Sequence, residues 1–231
     1  MIEEELEILS ESELFSGLHT GEINNLLSDY LFKPRRYKKA DVIAIQGDSY
    51  SKLYVVMDGS ALSEISDPAG KRAKLEIFTR SSIIAPGIIF AIDNTLPVTI
   101  TAETDCLLLS FSKEMVISIL QSNRTCMINY LSLLGNKINI LAEKIRLFQF
   151  NSIQQKIAGY LLNLYVKQGS STLVIPYTRE NLADFFGVAR PSLSRELSRM
   201  SEAGIIYIEG KKIKLLKKTA LKYLLDGEIL D

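Results

Sequence analysis

Thr178-Arg-Glu-Asn-Leu-Ala-Asp-Phe-Phe-Gly-Val-Ala-Arg-Pro-Ser-Leu-Ser-Arg-Glu-Leu-Ser-Arg-Met200 is the run from which the fold can be read. Thr178 has the hydroxyl of a helix N-cap, and Leu182, Phe185 and Phe186 follow at spacings that put them on one inward face. Gly187 supplies a sharp turn that a residue with a Cβ resists, and Pro191 suits the first position of a second helix, where its missing N–H costs nothing. In that second helix Leu193, Leu197 and Met200 share a narrow arc. At about 100° per residue from Leu193, Arg195 lies near 200° and Arg199 near 240°, turned away from the core. Two helices joined at a glycine, the second presenting Ser and Arg outward, make a helix-turn-helix.

On the downstream side, strands are expected at Ile205–Ile208 and Ile213–Leu216 around Glu209-Gly210-Lys211, then a helix from Thr219. Upstream lie a helix over Ile153–Lys167, a Gly169-Ser-Ser loop and a short strand Leu173-Val-Ile. That order is a winged helix-turn-helix and defines a domain over residues 151–231. A reading helix meets base edges with its N-terminal turns, and Arg bidentate to guanine is the commonest specific contact, so Arg190, Ser192, Ser194 and Arg195 are the candidate base readers. Thr178, Arg179, Arg199, Lys211 and Lys212 are placed for phosphates, which fix position but carry no sequence information. The competing readings are a solvated basic helix or a protein-binding one. Charge favours nucleic acid: residues 1–149 carry 15 basic and 19 acidic groups, residues 150–231 carry 12 and 8, and the balance over the chain is zero.

Before this domain runs a long helix, expected from about Arg124 to Phe150. Met127, Leu131, Leu134, Ile138, Leu141, Ile145 and Phe148 alternate at spacings of four and three, a heptad seam over three repeats. Leu131, Ile138 and Ile145 are its a positions and the other four its d positions, a choice that favours a parallel two-stranded coil between two copies of the chain. The alternative is an amphipathic helix lying on its own domain. Gly135 and Ala142, at e positions, leave the flank of the helix open to close approach. Earlier still, residues 1–123 read as short helices followed by many short strands: Val42–Ile45, Leu53–Met57, Ala61–Ile65, Leu75–Phe78, Val98–Thr101 and Cys106–Leu109. Turns at Gln46-Gly47-Asp48, Asp58-Gly59 and Asp67-Pro68-Ala69-Gly70 separate them, as in an antiparallel roll. Ser112 reads as the cap of a helix to about Gln121, Ser10 with Glu13 as a capping box, and Thr20 precedes Ile23, Leu26 and Leu27 at helical spacing.

With these motifs in this order the chain resembles the Crp/Fnr family of bacterial transcription regulators over nearly its whole length. Arg36-Tyr-Lys-Lys-Ala-Asp-Val-Ile, Gln46-Gly-Asp and Leu53-Tyr-Val-Val-Met-Asp-Gly-Ser are similar to the family's β-roll signature, with Gly47, Gly59 and Gly70 at its turns. Arg190-Pro-Ser-Leu-Ser-Arg is similar to its recognition-helix signature. The resemblance implies an α+β chain made of an N-terminal β-roll like cyclic-nucleotide-binding domains, a coiled-coil dimerisation helix over 124–150 and the winged helix-turn-helix. It further implies a homodimer on double-stranded DNA at an inverted repeat, with RNA polymerase as a further partner and an effector acting through the roll. Pro191 stands where many relatives carry a base-reading Glu.

Other family features are missing. Members that bind cyclic AMP hold it with a Gly-Glu pair and an Arg-Ser pair; here Ala85-Pro86 and Leu96-Pro97 occupy those positions. An unpaired phosphate buried there would be costly, so cyclic AMP is not the expected effector. An apolar pocket at Ile84, Ile88, Leu96, Gly135 and Ala142 is the candidate effector site, and a closed roll core is the alternative reading. Two cysteines, Cys106 and Cys126, exclude a four-thiolate cluster and give no disulfide framework, and a single His19 lends little to haem ligation. Haem or redox sensing within the family, and a signalling module whose helix-turn-helix binds protein, are the other readings. No nucleophile triad, metal cluster or phosphate-cradling loop points to an enzyme, and no metal or cofactor is expected. The longest apolar run, Ile83–Ile92, has ten residues and is broken by Pro86 and Gly87, too short for a membrane span. With an acidic start to the chain, the cytoplasm is the expected compartment.

Overall fold

The computed structural model describes residues 2–66 and 72–226, and the turn expected at Asp67-Pro68-Ala69-Gly70 lies outside them. The chain divides into two compact units, Met1–Lys137 and Ile138–Asp231. The division falls inside the long helix, so the segment expected as a separate dimerisation element over 124–150 is shared between the units.

In the first unit, α1 (Glu3–Ser10) and α2 (Thr20–Leu27) precede β1 (Arg35–Tyr37), β2 (Val42–Ala44), β3 (Lys52–Asp58), β4 (Ala61–Ser66), β5 (Arg72–Phe78), β6 (Ile83–Ile84), a 3₁₀ turn at Ile88–Phe90, β7 (Thr99–Ala102) and β8 (Cys106–Ser112). Helices α3 (Lys113–Ser122) and the start of α4 (Arg124–Phe148) follow. The strands form two antiparallel sheets, ordered β1-β8-β3-β6 and β2-β7-β4-β5, which is the expected roll. Its core alternates along the strands: Leu53, Val55, Ile84, Ile100, Leu109 and Phe111 are wholly enclosed. Gly59 joins β3 to β4 at φ +72, and a Cβ there would lie 2.1 Å from the Asp105 carbonyl, so no other residue fits. Ser112 caps α3 through the Met115 amide, as expected.

The N-terminal capping box is corrected. Ser10 ends α1 instead of starting a helix, and its hydroxyl donates back to the Glu7 carbonyl. Short polar side chains compete in this way for backbone groups at helix ends. His19, not Thr20, precedes α2, with its amide held by the Glu22 carboxylate.

The second unit contains the rest of α4, α5 (Ile153–Gln168), β9 (Thr172–Val174), α6 (Arg179–Phe186), α7 (Arg190–Glu202), β10 (Ile206–Glu209), β11 (Lys212–Leu215) and α8 (Lys218–Asp226). Its three strands pair antiparallel in the order β10-β11-β9. Leu147, Ile157, Leu161, Leu173, Phe186, Leu193, Leu197, Ile206 and Leu221 build one core beneath the helix pair and the wing.

Candidate nucleic-acid interface

The interface is built on the α6–α7 pair. Thr178 Oγ1 accepts from the Asn181 amide at 3.2 Å and starts α6. The helix ends at Gly187, whose φ of +66 is left-handed; its amide donates to Asp184 and that of Val188 to Ala183, the paired closing bonds of a helix C-terminus. Lys156 Nζ donates to the Phe186 carbonyl at 2.8 Å, satisfying another end group and lashing α5 to the turn. Pro191 is the second residue of α7 rather than the first; the residue before it starts the helix, and the missing N–H still falls among donors without helical partners.

Leu193, Leu197 and Met200 are buried, which turns the opposite face of α7 to solvent. Arg190, Ser194 and Arg195 are exposed, Ser192 is half-buried, and among the described residues neither Arg190 nor Arg195 is tied into an ion pair. Arg199 differs. Its Nη1 lies 2.8 Å from Glu196 Oε1, and the other oxygen of that carboxylate accepts from Gln154 Nε2 at 3.0 Å. Glu196 therefore ties the reading helix to α5 while holding Arg199 by one of its nitrogens. Sequence reasoning missed this pair, although Glu196 stands about 300° round from Leu193, an acid at the border of a Ser/Arg face.

Between α6, α7 and the wing runs a shallow open groove of about 410 Å³, lined by Arg179, Ser194, Ser198, Ser201, Glu202 and Ile208. Arg179 is half-buried in it, and loss of water around the guanidinium draws its pKa below the usual arginine range. Such a cation gains more from an arriving anion than one fully in water. Thr178, Lys211 and Lys212 are exposed, the two lysines at the wing turn.

Helix α4 carries two apolar faces. Cys126, Tyr130 and Leu133 are buried against the roll. Met127, Leu131, Ile138, Leu141, Ile145 and Phe148, six of the seven seam residues, are 41–67% exposed. Leu134 is the exception, half-buried against the roll with a methyl 3.5 Å from where a Cβ on Gly87 would sit.

The roll segment beside α4 is held by two tyrosines. Tyr50 donates to the Ile84 carbonyl at 3.0 Å, Tyr130 donates to the Pro86 carbonyl, and the Tyr130 ring meets Phe90 edge-on at 5.6 Å. Of the candidate pocket residues, Ile84 and Leu96 are sealed in the core, Ile88 packs half-buried against it, Gly135 is half-buried on α4 and Ala142 is exposed in the second unit. A cyclic nucleotide finds neither a carboxylate at Ala85-Pro86 nor a cation at Leu96-Pro97, and the Pro86 carbonyl is already taken. These residues do not fit that ligand.

Comparison with known proteins matches residues 34–123 to the cyclic nucleotide-binding domain and residues 155–224 to the Crp-like helix-turn-helix domain. The cAMP-activated global transcriptional regulator CRP of Salmonella typhimurium is 23% identical over 182 residues, covering 77% of this chain and 87% of the relative. The transcriptional activator protein FnrL of Cereibacter sphaeroides is 24% identical over 188 residues, 77% of this chain and 74% of the relative. The solved catabolite activator protein of Thermus thermophilus shares the fold with a TM-score of 0.55 at 22% identity, over 94% of this chain and 100% of its own. A CooA mutant from Carboxydothermus hydrogenoformans does so with a TM-score of 0.60 at 18% identity, over 91% and 97%.

Proposed function

The chain belongs to the Crp/Fnr family of transcription regulators, and from that premise we propose that it works as a homodimer whose two α7 helices enter successive major grooves of an inverted-repeat site. Arg190, Ser192, Ser194 and Arg195 read base edges in this scheme, while Thr178, Arg179, Arg199, Lys211 and Lys212 hold phosphates. One observation carries the reading: α4 packs on the roll with one apolar face, and on a second, in heptad register, six large apolar side chains stand largely exposed among the described residues. Six large apolar side chains in one register are more than scattered surface hydrophobics explain, and a second copy of α4 has the matching pattern.

Control belongs on the roll side. Tyr130 ties α4 to the Pro86 carbonyl, so a rearrangement of the Ile84–Ile88 segment by an effector other than cyclic AMP reaches the helix directly. RNA polymerase is the protein partner of this scheme and the cytoplasm its compartment.

Native mass spectrometry of the purified chain tests the dimer. The wild type should run at twice the chain mass, with any retained effector as an added increment, and Leu131→Asp with Ile138→Asp should run as a monomer that no longer binds a two-half-site duplex. A monomeric wild type at micromolar concentration overturns the proposal.

A further inference from the structure

Six lysines fall within twelve residues from Lys211 to Lys222, a stretch that contains no carboxylate. All six are exposed, and among the described residues none is in an ion pair. The wing tip accounts for Lys211 and Lys212, already assigned to phosphate. The remaining four, Lys214, Lys217, Lys218 and Lys222, have no role in that scheme. Their placement follows from the strand register. In β11, Ile213 and Leu215 point into the core, so Lys212 and Lys214 stand on the outer face of the wing, where Lys214 pairs across the sheet with Tyr207, itself half in water.

The next step along the chain brings this surface to the reading helix. The amides of Leu216 and Lys217 both donate to the Ile205 carbonyl, three residues beyond α7, so Lys217 and Lys218 sit beside the C-terminal end of that helix. At the other edge of the wing, Ile208 shares its groove with Ser194 and Ser198 of α7. The charge is placed at a cost. Lys218 and Lys222 stand in the first two turns of α8 with no acidic residue in the first turn, where the helix dipole is already positive and a carboxylate would stabilise. Packing asks for no such arrangement, since the side chains of Lys214, Lys217 and Lys222 make no hydrogen bond among the described residues.

We propose that the outer wing and the start of α8 form a second DNA-backbone surface, in which Lys214, Lys217, Lys218 and Lys222 hold phosphates beyond those met by the recognition helix and the wing tip. It rests on the DNA-reading role of α7. Its chemistry is that of sequence-independent contact: mobile point charges and a tyrosine hydroxyl, with no planar fork to read a base edge. Each phosphate neutralised releases counterions, so the surface sets affinity and salt dependence and leaves base preference alone.

The test compares the wild-type chain with a Lys214→Gln, Lys217→Gln, Lys222→Gln variant on one long duplex, chosen by selection from random sequence, and on a random duplex of equal length. Lys218 is kept because it donates to Tyr165 Oη at 3.0 Å. A second variant with the same loss of charge, Lys33→Gln, Lys39→Gln, Lys52→Gln, lies in the roll. Affinity is measured by fluorescence anisotropy from 50 to 200 mM salt. The wing variant should lower the slope of log affinity against log salt by about 0.9 for each phosphate lost, up to about 5 for a dimer, equally on both duplexes. The roll variant should leave the slope unchanged. An unchanged slope in the wing variant, while Arg195→Ala still lowers the preference for the selected duplex, overturns this surface and spares the reading helix. Equal losses in the two variants show a general charge effect and also overturn it. A wild type that binds neither duplex overturns both assignments.

Discussion

The ring of Phe148, the last residue of α4, lies 3.3 Å from the point that a Cβ on Gly187 would occupy. The end of the proposed dimer seam therefore touches the turn that aims the reading helix. Lys156 lies over the same ring at 5.6 Å, and Leu147 is buried in the core beneath.

Gly187→Ala should destabilise the second unit by about 1–2 kcal/mol from the left-handed backbone alone, with a further loss from pressing Phe148. Combined with Phe148→Ala, the total should fall short of the sum of the two single losses, because the steric part disappears. Calorimetric melting of the four proteins checks this, and strict additivity would separate the two residues.

Arg195→Ala should relax selectivity at one base pair of each half-site at a cost of about 1–3 kcal/mol, whereas Arg199→Ala should weaken selected and random DNA alike. Glu196→Gln leaves one accepting oxygen where the carboxylate has two and removes the charge that holds Arg199, so it should behave as a mild version of the second class. Titration of selected and random duplexes separates them. Indistinguishable profiles for Arg195→Ala and Arg199→Ala would remove the assigned roles.

Cyclic AMP should not bind the roll, since no cation or carboxylate faces its phosphate and ribose at Ala85-Pro86 and Leu96-Pro97. Isothermal calorimetry at millimolar nucleotide should show no saturable heat. Micromolar binding that also tightens DNA binding would reverse the conclusion.

Burial pushes the Cys126 thiol up from 9.0 to about 11. It should react slowly with a disulfide reagent at pH 8 in the native chain and readily in urea. The folded state favours the neutral thiol, so its stabilising contribution is whole below pH 9 and is lost as pH rises through about 11. Cys126→Ala should flatten that part of the alkaline decline, measured by urea unfolding from pH 8 to 11.

Tyr160 Oη is buried with no hydrogen-bond partner among the described residues, edge-on to Phe185 and Phe186. Tyr160→Phe should leave the fold intact and raise stability by about 1 kcal/mol, since an unsatisfied hydroxyl is removed from an apolar site. A loss of similar size in denaturant unfolding would mean that the hydroxyl is bonded after all.

Features that depend on a few neighbouring residues were legible before the structure: the Thr178 and Ser112 caps, the Gly187 turn, the inward arc of Leu193, Leu197 and Met200, and both strands of the wing. Features decided across long separations were not. Strands β1 and β6 have three and two residues and exist because β8 and β3 offer them partners, so nothing in Arg35–Tyr37 or Ile83–Ile84 announces them. The bond between Gln154 and Glu196 spans 42 residues, and that between Tyr130 and Pro86 spans 44. Helical spacing gives the direction of such side chains but not what meets them. The heptad register was visible, yet the second apolar face of α4, with Cys126, Tyr130 and Leu133, was not distinguished from it, because two stripes on one helix merge in a one-dimensional pattern.

The exposed seam on α4 also has a consequence for dosage. If two copies must meet before an inverted repeat is filled, then below the dimer dissociation constant occupancy of the site follows the square of the chain's concentration. A twofold change in synthesis becomes nearly fourfold at the promoter. The amount of protein is then itself a signal, and substitutions at Leu131 or Ile138 would move the threshold without touching a base contact.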